Sequence, residues 1–222
     1  MIYILPLISV IAGYLIAIFL KPSSSIGFKL LLSFSGAYLL AVTIFELLPE
    51  VYLNGTEEVG IFIMLGLLLQ IILEFVSKGV EHGHLHHQEG MKKFPILLLI
   101  SLSIHAFLEG FPMDEGDHIL HGVVIHKIPV ATILSVFLIH SNLSKIKVGL
   151  FLAVFALMTP LGSFFKSQFS LLQDISIYIN ALVIGIFLHV STTILFEASK
   201  NHKFNISKLA VIVGGILLAY FI

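Results

Sequence analysis

The sequence contains no cysteine, and its 12 basic residues are all lysines. Without cysteine, the chain can form neither a disulfide framework nor a thiolate metal site. Charged residues are scarce, at 11%, whereas about a quarter of a soluble domain is charged. The net charge of -1 provides no positive field of the kind that attracts nucleic acid. What remains is a chain that is 58% hydrophobic.

Long apolar runs make up most of this chain. A helix needs about 20 apolar residues to cross a bilayer, and eight runs approach that length. The sequence therefore predicts an all-α polytopic membrane protein with eight transmembrane helices in one domain, residues 1–222. The first run lacks a basic leader and a cleavage site, so we interpret it as a retained helix. The runs cover residues 2–20, 28–53, 59–79, 94–111, 118–140, 146–165, 172–198 and 205–222.

The lysines predict the orientation of the chain in the membrane. Positive residues favour the cytoplasmic side, so both termini are expected outside, in a cell (inner) membrane. The acidic connections, which include Glu57, Glu58 and Glu115, then also lie outside. Ten of the twelve lysines fall in the first, third, fifth and seventh connections: Lys21, Lys29, Lys78, Lys92, Lys93, Lys145, Lys147, Lys200, Lys203 and Lys208.

Ionisable side chains interrupt the fourth run. His105 and Glu109 are four residues apart, which places them on one helical face about one turn from each other. A charge in the middle of a membrane costs at least about 3 kcal/mol, and binding a cation would offset that cost. Imidazole and carboxylate are good ligands for zinc and similar divalent metals. The pair is therefore a candidate metal site.

The fifth run contributes a further histidine. His126 is followed by Lys127 and, three residues after the histidine, by Pro129. Because proline lacks a backbone N–H, the carbonyl of Ile125 loses its helical donor and becomes an additional candidate ligand. A purely structural interpretation stays open, in which His105 pairs with Glu109, or Glu109 with Lys127. His140 and His189 are interpreted as hydrogen-bonded packing residues.

Three segments carry a family resemblance. The stretches "HAFLEG" from His105, "HKIP" from His126 and "GAYLLAVTIFELLPE" from Gly36 resemble signatures of the ZIP (Zrt/Irt-like) family of metal transporters, as a divergent prokaryotic-type member. The resemblance implies a 3+2+3 inverted-repeat bundle, alternating access and often a homodimer. It implies that helices one, four, five and six slide, elevator-like, against two, three, seven and eight. It assigns His105, Glu109 and His126 as metal ligands between the fourth and fifth helices.

The chain departs from the family pattern at four positions. Ala106 stands where the family has asparagine, Val130 where it has glutamate, Ala131 where it has glycine, and Glu46 where it has histidine. The site therefore keeps three of its four usual side chains. The ammonium of Lys127 is expected to occupy the position of a second cation and to act as a counter-ion for Glu109, so a single metal is predicted.

Other polar groups form candidate approaches to this site. The tract at 80–93 contains four histidines: His82, His84, His86 and His87. It is expected to be a cytoplasmic loop that receives or senses metal, or else a plain polar loop. Acidic and histidine residues near the outer ends of the second and fifth runs form a candidate entrance: Glu46, Glu50, Asp114, Asp117, His118 and His121. Asp117 also suits the N-cap of the fifth helix.

The predicted function is transport of divalent cations into the cytoplasm. Zinc is the first choice, and Cd2+, Fe2+ and Mn2+ suit the same ligands. The partners are then metal ions and the lipid bilayer, with no nucleic acid and no cofactor. The chain has no ATP-binding loop and no HExxH motif, so an enzyme is not expected. Two alternatives are a metal-binding membrane sensor or partner that has lost transport, and an intramembrane metal-dependent hydrolase.

Overall fold

The computed structural model describes residues 1–20, 26–77, 94–114, 118–197 and 206–221. Helices occupy all eight predicted runs, and these described residues contain no strand, so the all-α prediction is confirmed. A π-helical turn, Thr43–Leu47, joins α2 to α3 within the second run. The helices are α1 (Ile4–Leu20), α2 (Ile26–Val42), α3 (Leu48–Asn54), α4 (Val59–Ser77), α5 (Ile96–Glu109), α6 (His118–Ile139), α7 (Lys145–Gln168), α8 (Ser170–Asp174), α9 (Ser176–Glu197) and α10 (Ile206–Phe221).

The lengths and compositions of these helices are those of a multi-pass membrane protein. Among the described residues, five helices are long and apolar enough to cross a membrane: Gly27–Asn54, Val59–Ser77, His118–Ile139, Lys145–Gln168 and Ser176–Phe196. Three shorter apolar helices accompany them: Ile4–Phe19, Ile96–Glu109 and Ile206–Phe221. Large apolar side chains such as Phe75 are exposed, as expected of a surface that faces lipid. That all eight cross the bilayer stays a prediction.

Two hydrophobic cores organise the helices. The first core lies mainly between α2, α9 and the first half of α6, and it contains Tyr38, Leu47 and Phe187. The second core lies between α1, α5, α6 and α7, and it contains Leu102 and Phe155. The most extensive helix pairs keep to these cores: α4 with α9 and α10 with α2 in the first, α1 with α6 and α5 with α7 in the second. Contacts of α2 with α6 and of α4 with α5 join the two cores.

Glycine brings α5 and α7 into close contact. A Cβ atom added at Gly110 would overlap the carbonyl oxygen of Thr159, and one added at Gly162 would overlap that of Phe107. Neither position therefore accepts a larger residue unless the helices move apart. In addition, the hydroxyl of Ser163 donates to the carbonyl of Gly110 at 2.7 Å. This close approach places the end of α5 directly beside the second half of α7.

The π-helical turn has a local cause. The backbone N–H of Leu48 bonds to the carbonyl oxygen of Thr43, five residues earlier. The next residue, Pro49, has no N–H and cannot bond the carbonyl one turn before it. The extra residue in the turn rotates α3 relative to α2, and such turns are frequent at functional sites. Here the turn contains Glu46, one of the candidate entrance residues.

Candidate metal site

Glu109 is the centre of a buried polar cluster at the end of α5. Its Oε1 atom accepts hydrogen bonds from the ammonium of Lys127 on α6 and from the hydroxyl of Thr159 on α7, the latter at 2.6 Å. The Lys127 ammonium is also 2.7 Å from the Thr159 hydroxyl and lies 4.6 Å from the centre of the Phe155 ring. An ammonium over an aromatic face is attracted by the ring. The positive charge of Lys127 is therefore accommodated by three groups in an apolar setting.

His105 lies one turn before Glu109 on α5. Its Nε2 atom is 3.6 Å from Oε2 of Glu109, the carboxylate oxygen that does not bond Lys127. Its Nδ1 atom is 3.0 Å from the side-chain oxygen of Gln70 on α4. Both His105 and Gln70 are buried. The two oxygens of Glu109 thus have different surroundings, one beside a cation and one beside an imidazole.

The predicted third ligand is on the neighbouring helix. His126 is buried on α6, next to Lys127 in the sequence, and Lys127 reaches Glu109 from there. Within the part of the chain that the structure describes, no three His, Cys, Asp or Glu side chains are gathered closely enough to hold a metal ion. The structure thus brings His105, Glu109 and Lys127 together, while the three-ligand set stays a prediction.

The two positions where the family pattern loses a donor are filled by packing. Ala106 and Val130 are both buried and belong to the second core, together with Phe155 and Leu134. Burial of an apolar side chain in this cluster is favourable, whereas burial of a carboxylate there would cost free energy unless a partner were present. The wall of the site on this side is therefore apolar, and polar contacts come from α4, α6 and α7.

The candidate entrance residues are near the helix ends. Asp114 is exposed and pairs with Lys166 at 2.9 Å, close to the end of α7. His118 is partly buried at the first residue of α6, and His121 is exposed. Glu46 is partly buried, and Glu50 is exposed. Some predicted residues lie outside the described residues: Asp117, His82, His84, His86 and His87.

Sequence reasoning missed three contributors to this region. Gln70 and Thr159 bond the candidate ligands directly, and Phe155 supports Lys127. A signal for Gln70 was present, since it is a polar residue within an otherwise apolar stretch of α4. Thr159 had a weaker signal, because a threonine in a membrane helix commonly bonds its own backbone. The single sequence does not show that it faces α5.

The two histidines interpreted as packing residues make simple contacts. His140 directly follows α6, is exposed, and bonds the carbonyl of Val136, one turn earlier, at 2.8 Å. His189 on α9 lies 2.5 Å from a carboxylate oxygen of Glu74 on α4. Both are hydrogen-bonded, as the packing interpretation expects.

The sequence of this region also matches a known protein family. Residues 81–222 match the family model described as ZIP Zinc transporter, and the matched part includes α5, α6 and α7 with the buried cluster. The chain belongs to the ZIP zinc transporter family. It is also similar to Protein zntD of Dictyostelium discoideum, with 35% identity over 99 residues. That alignment covers 37% of this chain and 14% of the relative, so the chain matches a small part of the relative's length.

The motif residues of α5 and α6 in this ZIP protein all belong to the part of the chain that matches the family model. His105, Glu109, His126 and Lys127 all lie within the matched residues, whereas α1 to α4 precede them. Gln70, which bonds His105, is therefore contributed from outside the matched part of the chain. The segment from Gly36 that resembles a family signature, and that includes Glu46, also lies outside that part.

Proposed function

We propose that this ZIP protein moves divalent cations, with zinc as first choice, across the cell membrane into the cytoplasm. The cation is the transported substrate, and it binds between α5 and α6 at His105, Glu109 and His126. One metal binds at a time. Transport follows alternating access of the elevator type, with no ATP and no resident cofactor.

The observation that carries this proposal is the unequal use of the two oxygens of Glu109. Lys127 and Thr159 bond Oε1, while Oε2 lies 3.6 Å from Nε2 of His105. Two ligands about 2.1 Å from a tetrahedral zinc are separated by about 3.4 Å. The Nε2 and Oε2 atoms therefore already have nearly the spacing that one zinc requires. A cation there would lie on the side of the carboxylate opposite the ammonium.

His126 is the natural third ligand. It is buried one residue before Lys127 on α6, and Lys127 already ties that part of α6 to Glu109. Zinc sites with three protein ligands keep an open fourth position, which is suited to an ion that must leave again. A water or the carbonyl of Ile125 would complete the coordination.

The packing of the helices supports the elevator proposal. Helices α1, α5, α6 and α7, here called the site group, share the second core. The remaining long helices, α2, α4, α9 and α10, here called the frame group, make their most extensive contacts with one another. The cluster of Glu109, Lys127 and Thr159 lies wholly within the site group. A bound cation held there would travel with that group as a unit.

The same contacts support an inverted repeat. In an inverted repeat, each helix of the first half has a counterpart in the second: α1 and α7, α2 and α9, α4 and α10, and α5 and α6. The contact α1–α6 then corresponds to α7–α5, and α4–α9 corresponds to α10–α2. All four of these contacts are extensive. Such pairing is expected where two three-helix repeats surround a central pair of helices.

Uptake into sealed proteoliposomes tests the function. Purified protein is compared with His105→Ala, Glu109→Ala and His126→Ala against a panel of zinc, cadmium, iron and manganese. Each substitution should abolish most zinc flux while the protein still inserts. His140→Ala is the matched control, because His140 lies in the same apolar run as His126 and bonds the backbone carbonyl of Val136. Normal zinc flux in all three variants would refute the proposed metal site.

The orientation is tested with the same cysteine-free chain. A cysteine at Lys147, exposed near the start of α7, should react only with a reagent on the cytoplasmic side. A cysteine at Glu57, exposed before α4, should react only from outside. The reverse pattern would overturn the proposed topology and the direction argued from the lysines.

A sensor that has lost transport is the second candidate. Ala106 and Val130, which pack in the second core where the family pattern has donors, favour it. Metal binding to purified protein without flux in vesicles would support the sensor. Hydrolysis without flux would support the intramembrane enzyme instead.

A further inference from the structure

We infer that Gln70 is a positioning residue that fixes which nitrogen of His105 holds the metal. The inference rests on the proposed role of His105 as a ligand. Gln70 is fully buried on α4, and its side-chain oxygen lies 3.0 Å from Nδ1 of His105 on α5. Residue 70 is not in any motif of this family that the sequence displays, and it precedes the matched residues.

The chemistry of the two groups points to the proton position. The atom of Gln70 nearest the ring is its amide oxygen, which can only accept a hydrogen bond, so we assign the imidazole proton to Nδ1 of His105 as the donor. The other nitrogen, Nε2, then has a lone pair available for a metal. The second partner of a metal-binding histidine commonly sets the ring's tautomer and orientation in this way.

The spacing on the other side of the ring agrees with that tautomer. Nε2 of His105 is 3.6 Å from Oε2 of Glu109, beyond the range of a normal hydrogen bond. With the opposite tautomer, an Nε2–H would donate to this carboxylate and the ring would be lost as a ligand. Gln70 therefore keeps Nε2 and Oε2 as two separate acceptors that face each other, as a cation site requires.

The bond also crosses from one group of helices to the other. Gln70 belongs to the frame group and His105 to the site group. One turn before His105, the hydroxyl of Ser101 donates to the carbonyl of Leu73 at 2.6 Å, so a second bond ties α5 to α4 at this level. Ser101 thus offers a matched control, because it crosses the same interface without touching the imidazole.

The decisive measurement is the tautomer of His105 by nitrogen NMR of protein labelled with 15N-histidine in lipid. The spectrum is taken at about pH 8.5, where an ordinary imidazole is neutral, and His105→Asn identifies the signals. In the wild type the proton should be on Nδ1, and added cadmium should shift Nε2. Gln70→Leu should move the proton to Nε2 or mix the two forms, whereas Gln70→Glu, which keeps an acceptor, should retain Nδ1–H.

Uptake provides the matching functional readout. Gln70→Leu should raise the apparent KM for zinc by about 10- to 100-fold, the usual effect of losing such a partner, with a smaller change in maximal rate. Gln70→Glu should recover most of that loss, and Ser101→Ala should keep both the tautomer and a KM close to the wild type.

Three results would overturn the inference: an Nε2 proton in the wild type, an unchanged tautomer and KM in Gln70→Leu, or equal loss in Gln70→Leu and Gln70→Glu. If Gln70→Leu does not insert, the wild-type tautomer and the Gln70→Glu variant still decide. The NMR readout needs no flux. A failure of the transport proposal therefore shows as absent uptake with an intact, Gln70-dependent tautomer.

Discussion

Two carboxylates in this ZIP protein meet a basic side chain from another helix, under contrasting conditions. The side chains of Glu109 and Lys127 are each 2% exposed, and Thr159 adds a hydroxyl. The side chains of Glu74 and His189 are 22% and 19% exposed. A fully buried charge that loses its partner has nothing to replace it. The second pair is less buried, and an imidazole, unlike an ammonium, can pair with a carboxylate as a neutral hydrogen-bond donor. Substitution should therefore be severe at the first pair and mild at the second.

The largest effect is expected for Glu109→Ala. Zinc uptake should be abolished because the only carboxylate of the predicted site is gone. The variant should also lose about 3–5 kcal/mol of stability, since Lys127 is left as an unpaired buried charge. Flux into vesicles and thermal unfolding in detergent measure the two effects separately.

A double variant separates structure from transport at the same pair. Glu109→Leu combined with Lys127→Met replaces two buried charges by apolar groups of similar volume, which is often neutral for stability. Thermal stability should return close to the wild type, while zinc uptake should stay absent. Recovery of uptake would mean that the carboxylate serves only to pair with Lys127.

The next effect concerns the number of metals. Two like charges about 4 Å apart repel by roughly 4 kcal/mol at an effective dielectric of 20, and each 1.4 kcal/mol is about a factor of ten. The ammonium of Lys127 should therefore exclude a second cation. Anomalous scattering from zinc-soaked crystals should give one strong peak near His105, and Lys127→Asp should add a second. Two peaks in the wild type would contradict the single-site prediction.

A smaller effect is expected at the partly exposed pair. His189→Leu removes one hydrogen bond to Glu74 but leaves no buried ammonium without a counter-ion. The free energy of unfolding should fall by about 1 kcal/mol. A loss as large as that of Glu109→Ala would erase the contrast between the two pairs. Thermal unfolding of both variants under one set of conditions makes the comparison.

The smallest effect is expected at the surface pair beyond the end of α5. Asp114 pairs with Lys166, and the aspartate is 64% exposed, so Asp114→Asn should cost less than about 1 kcal/mol. Because exposed charges are screened by salt, any decrease in zinc uptake should appear only at low ionic strength. Uptake measured at low and at physiological salt tests this. A decrease that persists at physiological salt would indicate direct binding of the cation by Asp114.

Periodicity and composition were sufficient to predict helices in all eight runs, because apolar length dominates a chain of this kind. They did not predict the π-helical turn, which depends on one proline in a continuous apolar stretch. The spacing of His105 and Glu109 predicted that they meet, since i and i+4 share a face whatever surrounds the helix. The partners supplied by other helices were harder to predict. Gln70 is separated from His105 by 35 residues, and its contact depends on which face of α4 meets α5.

The pairing of Glu109 with Lys127 was one of two alternatives in the sequence, and it is the one that forms a hydrogen bond in the structure. Lys127 bonds one carboxylate oxygen, and His105 faces the other. A sequence pattern assigns roles to residues, but not to separate atoms of one residue. The division between two oxygens depends on the direction from which α6 and α7 approach, and the glycine contacts between α5 and α7 determine the approach of α7.

The Glu109–Lys127 pair also has an electrical consequence for the proposed transport cycle. One negative and one positive charge cancel, so the empty site carries no net charge through the membrane potential as it returns. A bound divalent cation adds two elementary charges, and moving them inward across 100 mV yields about 4.6 kcal/mol. A negative interior would therefore accelerate the loaded step and leave the empty step unaffected. The lysine in α6 makes this possible without a proton or a second ion on the return journey.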